Sequence, residues 1–294
     1  MDLKLKKGYY LLRALTWIVQ LFPLWFHYVL SDGIFYIVYY VVRYRRRVVT
    51  TNLTNSFPEK SKSEIKIIAK KFYHQFCDSF IETLYFDRVS EQEIKKRLTI
   101  LNQEVLEKFL EEGRAVILAL GHYNNWEWNC SWPLNSKFKG YVIYKRLTNK
   151  SFDLFYYNMR ARFGIKPLER ADTYRQLIAD QNNSKASASA FLMDQTPRKH
   201  EIQYWTNFLN QDTPVLTGTE KVARKLDAAV LFCHIRKLKR GYNRLEFSVI
   251  AEHAKDTDPF EITEKATRMI EGVIIERPEL WLWSHKRWKH RREG

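Results

Sequence analysis

His122 stands five positions ahead of Glu127 in the stretch 114–128, RAVILALGHYNNWEW. An imidazole beside a carboxylate suits general-base chemistry: the carboxylate fixes one ring nitrogen and leaves the other to take a proton from a substrate. A spacing of five is about 500° around an ideal helix, so two helical residues would point about 140° apart. His122 is therefore expected in a turn ahead of the helix, folded back so that Glu127 accepts a hydrogen bond from one ring nitrogen. Between them, Asn124, Asn125 and Trp126 offer polar handles and an apolar wall. The plain alternative is a capped helix whose His and Glu are incidental surface groups.

The elements that must carry this pair follow from the apolar pattern. The run Ala115 to Leu120, closed by Gly121, reads as a strand buried on both faces. Asn124 or Asn125 then caps a short helix over 124–130, which leaves His122 in a strand-to-helix turn, where open α/β sheets place their chemistry. A longer amphipathic helix is expected over 61–86, with Ser61 and Glu64 in capping-box spacing. Beyond it the pattern alternates. Helices are expected at 103–111, 151–163, 171–181, 217–226 and 260–276, and strands at 114–120, 140–144, 187–193, 228–235 and 244–250. This is an α/β fold with a mostly parallel central sheet and helices on both faces.

Charge and composition restrict the partners. The chain has 294 residues and a formal net charge of +16. Residues 1–47 hold eight Lys or Arg against Asp2 and Asp32, and the last fourteen hold five against Glu293. These basic ends adjoin the most aromatic stretches. Such a surface suits anionic membrane lipids, where each cation near the headgroups contributes about 1 kcal/mol. No zinc-finger spacing or RNP-like strand accompanies the charge, so nucleic acid is not expected as a partner. Cys77, Cys130 and Cys233 are odd in number and far apart, which points to a reducing compartment, and they give no metal signature.

Between Arg13 and Asp32 lie eighteen residues without a formal charge, and a second apolar run, IFYIVYYVV, leads into RYRRR. Two shapes are open: one tilted transmembrane helix, or a broken helical pair lying partly in one leaflet. Residues 1–47 are accordingly expected to form a membrane-associated helical segment, and 48–294 the catalytic domain. A buried hairpin of a soluble protein is the competing reading of the same run.

Four blocks, in order, carry a resemblance. GHYNNWEW resembles the His-x4-acid block of the glycerolipid and lysophospholipid acyltransferase superfamily, in the Asn-Trp-Glu form of the lipid A late acyltransferases. LMDQTPRKH at 192–200 is similar to that family's Asp-Gln block. TPVLTGTEKVARKLDAAVL at 213–231 is similar to its Thr-Gly helix and strand, and RPELWLWSHKRWK at 277–289 to its Trp-rich basic ending. The resemblance covers nearly the whole chain.

It implies acyl transfer at the cytoplasmic face of a bacterial inner membrane. The donor would be an acyl carrier protein or coenzyme A thioester, and the acceptor a hydroxyl of a lipid A precursor glycolipid. No metal or further cofactor is implied. By the match, His122 would be the base and Glu127 its partner, in an HX4E-type O-acyltransferase. Such a positioned imidazole contributes typically about 10²- to 10⁴-fold. Asn125 belongs to the same block. For the oxyanion or the acceptor phosphates the candidates are Arg146, Arg160, Arg162 and Arg198, with Arg160 and Arg162 favoured and left undivided. Asp194 and Gln195 follow the strand 187–193 and are expected to line the same crevice as His122. His285 to Trp288 read as a structural clamp or a headgroup contact. Two departures from the family stand out: Asn124 replaces a glycine beside the base, and Thr196-Pro197 replaces an acidic residue and glycine after Gln195. They leave a lysophospholipid or aminolipid acceptor open beside the lipid A precursor. A non-enzymatic basic adaptor is the reading from another class, and His122→Ala separates it from an enzyme.

Overall fold

The computed structural model describes residues 3–138 and 140–292. Two helices, α1 (Leu3–Gln20) and α2 (Leu24–Tyr36), open the chain; Pro23 sits at the cap of α2, which continues into a π-helical turn, Ile37–Val41. The pair is bent by 118° at this break, and no single helix among the described residues is long and apolar enough to cross a membrane. The apolar run is thus broken into two helices rather than continuous, as in the second of the shapes expected, which had also placed the pair in one leaflet. Proline supplies the reason, because it removes an amide donor and fixes φ where a continuous helix would need both.

α3 (Arg46–Ser56) and α4 (Lys62–Phe86) follow, the latter begun by the expected Ser61–Glu64 capping box. Then come α5 (Glu91–Arg97), β1 (Leu98–Leu101), α6 (Gln103–Glu111), β2 (Val116–Leu120) and a 3-10 segment, Trp126–Asn135. The next stretch is β3 (Gly140–Tyr144), α7 (Lys150–Ala161), β4 (Ile165–Glu169), α8 (Thr173–Asn182) and β5 (Ala188–Leu192). The chain closes with the hairpin β6 (Trp205–Phe208) and β7 (Gln211–Pro214), then α9 (Gly218–Leu226), β8 (Ala229–Lys239), β9 (Tyr242–Ala251) and α10 (Glu261–Glu276).

Seven strands form one sheet in the order β1-β9-β8-β2-β5-β3-β4. Every pairing is parallel except the β8–β9 hairpin. β2 is central and buried along its whole length, and its side chains alternate between two apolar layers. Ile117 and Ala119 enter the layer with α4, α9 and α10; Val116, Leu118 and Leu120 enter the one with α6, α7 and the 3-10 segment. Helices on both faces and a mostly parallel sheet are what the alternating pattern implied.

The departures are local. The expected helix over 124–130 is the 3-10 segment instead, starting two residues later. Asn124 has φ +53° and Asn125 makes no cap bond, since both amides are drawn into the interior. Unforeseen are α3, α5, the four-residue edge strand β1, the edge strand β4 with Pro167 inside it, and the small hairpin.

The bent pair is tied to the sheet domain by buried polar contacts. Arg13 Nη1 lies 2.7 Å from both carboxylate oxygens of Asp87, to which Thr16 also donates at 2.8 Å. Arg240 bridges Asp32 and Asp78, Ser31 donates to Asp78 at 2.7 Å, and Tyr28 donates to Glu82 at 2.8 Å. A boundary at residue 47 falls in the first turn of α3.

Candidate active site

β2 and β5 run parallel with Leu120 opposite Leu192, so Gly121-His122 and Met193-Asp194 leave the sheet side by side at its carboxyl edge. The next strand after the β6–β7 hairpin, β8, joins the opposite flank of β2, which makes this the point where strand order reverses and a crevice opens. Gly121 leaves room for the close approach: a Cβ there would stand 3.2 Å from Asp194 Oδ2 and 3.4 Å from Ile270 Cγ2, tight enough to press on both.

His122 Nδ1 is 2.6 Å from Asp194 Oδ1, and its backbone amide donates to Oδ2 at 2.7 Å. A third donor comes from Trp281 Nε1, also at 2.7 Å. Burial alone would raise the Asp194 carboxyl, but the adjoining His122 imidazole and these three donors outweigh it and hold the group at about 2. An ionised Asp194 requires the His122 tautomer with hydrogen on Nδ1. In the neutral ring Nε2 is then an acceptor, and the Gln195 amide nitrogen stands 3.1 Å from it. The imidazole remains 13% exposed, with Trp126 as a wall at 4.9 Å between ring centroids.

The segment after α10 completes the site. Asn124 N donates to Leu280 O at 2.8 Å and Leu282 N to His122 O at 3.2 Å, so residues 280–282 lie along the His122 turn and present Trp281 to Asp194. This tryptophan was within a block that marked the resemblance, but nothing in its spacing assigned it a partner.

Glu127 is not the group that holds His122. Its oxygens accept from Arg160 Nε at 2.7 Å and Nη2 at 2.6 Å, a two-pronged buried pair. Burial works against the Arg160 charge, yet Glu127 more than compensates and raises its proton affinity further. The expected His122–Glu127 contact is thus replaced by two pairs, His122–Asp194 and Glu127–Arg160. The physical reason is topological: β5 brings a carboxylate beside the turn, whereas α7 faces the 3-10 segment that carries Glu127.

The remaining candidates divide. Gln195 joins His122. Asn125, 1% exposed, donates inward to Glu82 at 3.1 Å. Arg162 is spent on the carbonyls of Phe86 and Val89, at 2.7 and 3.0 Å, which resolves the choice between it and Arg160 as a group beside the block. Arg146 is exposed and paired with Glu169 at 2.7 Å, and Arg198 is exposed on the loop following Gln195. Asn124 turns inward: Gln75 donates to its oxygen at 3.0 Å and its nitrogen donates to Asn243 at 2.7 Å.

This arrangement offers an oriented imidazole, an amide nitrogen against its free ring nitrogen, and a neighbouring fixed guanidinium. The chain is similar to the lipid A biosynthesis lauroyltransferase of Escherichia coli (strain K12), being 22% identical over 282 residues that cover 96% of this chain and 91% of that protein. The profile of the bacterial lipid A biosynthesis acyltransferases matches residues 3–290. Because that match takes in His122, Asp194, Trp281 and nearly everything between the ends, the chain belongs to the bacterial lipid A biosynthesis acyltransferase family.

Proposed function

We propose that this acyltransferase moves a fatty acyl chain from a phosphopantetheine thioester, carried by acyl carrier protein or coenzyme A, to a hydroxyl of a lipid A precursor. In this reading His122 is the general base and Asp194, not Glu127, orients it. The observation that carries the assignment is the largely buried but still reachable imidazole whose Nδ1 is held by a buried carboxylate at 2.6 Å. Nε2 takes the proton from the acceptor hydroxyl as its oxygen attacks the thioester carbonyl. The C–S bond of the tetrahedral intermediate then breaks, and the thiolate leaves with the proton returned from His122. The Gln195 amide swings from Nε2 to the developing oxyanion or the acceptor, and Glu127 fixes Arg160 so that its remaining N–H groups face anionic substrate.

Two features support a lipid A precursor over another acceptor. The family is that of lipid A biosynthesis, and both departures from its pattern are absorbed internally. Asn124 bonds to Gln75 and Asn243, and Thr196 Oγ1 donates to the Arg287 carbonyl. A seat at the cytoplasmic face of the inner membrane is supported by the exposed apolar side of the bent pair. That side includes Trp17, Val29, Val41 and Trp25, the last 66% exposed, next to the basic run Arg43–Arg47.

The test is acyl transfer to a purified lipid A precursor in mixed micelles, read by mass spectrometry of the lipid product. His122→Ala is expected to lower turnover by about 10³-fold with an unchanged melting curve. Retention of a tenth of the activity would remove His122 as the base. Transfer only to lysophospholipid or aminolipid by the unaltered protein would move the acceptor elsewhere.

A further inference from the structure

α4 carries a polar stripe that is buried. Gln75, Asp78, Ser79 and Glu82 recur at three and four residues, which sets them on one side of the helix, and Glu82 is only 2% exposed. This side meets the turn between His122 and Glu127. Gln75 donates to Asn124 Oδ1 at 3.0 Å, and the Asn125 amide nitrogen donates to Glu82 Oε2 at 3.1 Å and to the Ser79 carbonyl at 3.4 Å. The second oxygen of Glu82 is used elsewhere: Oε1 accepts from the Tyr28 hydroxyl, on α2 of the bent pair, at 2.8 Å. Gly241 makes room for that hydroxyl at the tip of the β8–β9 hairpin, where a Cβ would stand 2.5 Å from it. Of the carboxylates that tie the bent pair down, Glu82 is the one among the described residues that also bonds the turn. Arg13 and Thr16 end on Asp87, whereas Ser31 and, through Arg240, Asp32 end on Asp78.

We propose that Glu82 is a positioning residue for acyl transfer: Tyr28 holds Glu82, Glu82 holds Asn125, and the turn thereby keeps Trp126 and Glu127 in place relative to His122. A buried carboxylate that only fastened α2 could be replaced by a well-packed apolar side chain at little cost. Dividing its oxygens between two segments gives it a second use, because a fully satisfied buried polar group fixes how those segments register. The turn needs such support. Asn124 has a left-handed φ of +53°, a conformation that persists where the surroundings over-determine it. Asn125 directly precedes Trp126, whose ring stands 4.9 Å from that of His122, and lies two residues ahead of Glu127, which holds Arg160. Release of the Asn125 amide frees both neighbours to shift, and a misplacement of about 1 Å costs on the order of 10²-fold in rate.

The inference rests on the reading of this turn as the site of acyl transfer, and its test separates the two. In the full chain and the same micellar assay, Tyr28→Phe removes one hydroxyl outside the turn; kcat is expected to fall about tenfold with KM kept within about twofold. In an Asn125→Ala background the same substitution is expected to change kcat by less than about twofold, since the link it supports is already cut. Equal losses in both backgrounds, a parental kcat in Tyr28→Phe, or a loss confined to KM would overturn the proposal. Glu82→Gln keeps an oxygen for Asn125 and an amide for the Tyr28 oxygen, so its kcat is expected within about threefold of the parent, against a loss of about 10²-fold in Glu82→Leu. A glutamine variant as slow as the leucine one would overturn it as well. Should Glu82→Leu fail to fold, the Tyr28 and Asn125 comparison decides. Activity retained by His122→Ala would sink the base assignment alone, because the coupling of Tyr28 to Asn125 is read against the parent enzyme.

Discussion

Two residues of one short block, His122 and Glu127, each pair with a group from elsewhere in the chain, and the two pairs differ in kind. Asp194 meets His122 at 2.6 Å, and Glu127 meets Arg160 at 2.6 and 2.7 Å. Distances scarcely distinguish them. What differs is the partner's proton: an imidazole can give up and take back a proton near neutrality, and a guanidinium cannot. The first pair is therefore suited to chemistry and the second to holding geometry, although the linear motif names His122 and Glu127 together.

The comparison is sharpened most by Asp194→Asn, which keeps shape but loses the charge that selects the His122 tautomer. Turnover is expected to fall by about 10²- to 10⁴-fold, measured by single-turnover acyl transfer. A variant within threefold of the parent would erase the distinction between the pairs.

Glu127→Gln leaves Arg160 buried without its counter-ion, which costs about 3–5 kcal/mol of stability. Adding Arg160→Met to that variant is expected to restore much of the melting temperature while activity stays low. Activity rising together with stability would mean that neither member of the second pair contributes beyond folding.

Acid tests which groups limit the folded state. His234 and His285 are each depressed to about 4, from 6.5, first by burial. Neighbours modify this: Arg236 and Glu276 act on His234, and Asp194, Arg287, His122 and Lys289 on His285. Both are lower folded than unfolded, so the stability they confer as neutral groups is complete above pH 6.5 and is lost as pH falls toward 4. Asp194, depressed from 3.8 to about 2, loses its contribution only below that window. Melting temperature is thus expected to drop between pH 6.5 and 4, with His234→Gln flattening part of the decline. An unchanged slope in that variant would assign the acid sensitivity elsewhere.

The smallest effect is expected from Asn124→Gly. Glycine accepts the left-handed φ of +53° without strain but forfeits two internal hydrogen bonds. The lost bonds outweigh the relief of φ, and stability is expected to fall by about 1–3 kcal/mol in thermal melting. Acceptor choice is expected to stay as it is, and a switch of acceptor in competition assays would return Asn124 to the substrate crevice.

The interior of the sheet was legible because its strands are apolar runs with turn residues between them, as in Val116–Leu120 and Ala188–Leu192. β1 and β4 escaped notice because edge strands mix exposed polar residues and, in β4, a proline into four or five positions. His122 and Asp194 could both be set at the carboxyl edge from local pattern. That they touch depends on β5 lying next to β2, and no spacing along the chain encodes the order of strands. The Glu127–Arg160 pair stayed hidden for the same reason, as the pairing of α7 with the 3-10 segment is a tertiary fact.

The Trp281 contact has a consequence for timing. His122 and Asp194 leave the ribosome long before Trp281, which supplies one of the three donors to the carboxylate. During synthesis the growing chain can therefore pair β2 with β5 and still lack the full set of donors around Asp194. The surroundings of the His122–Asp194 pair are thus completed only when the segment after α10 packs along the His122 turn.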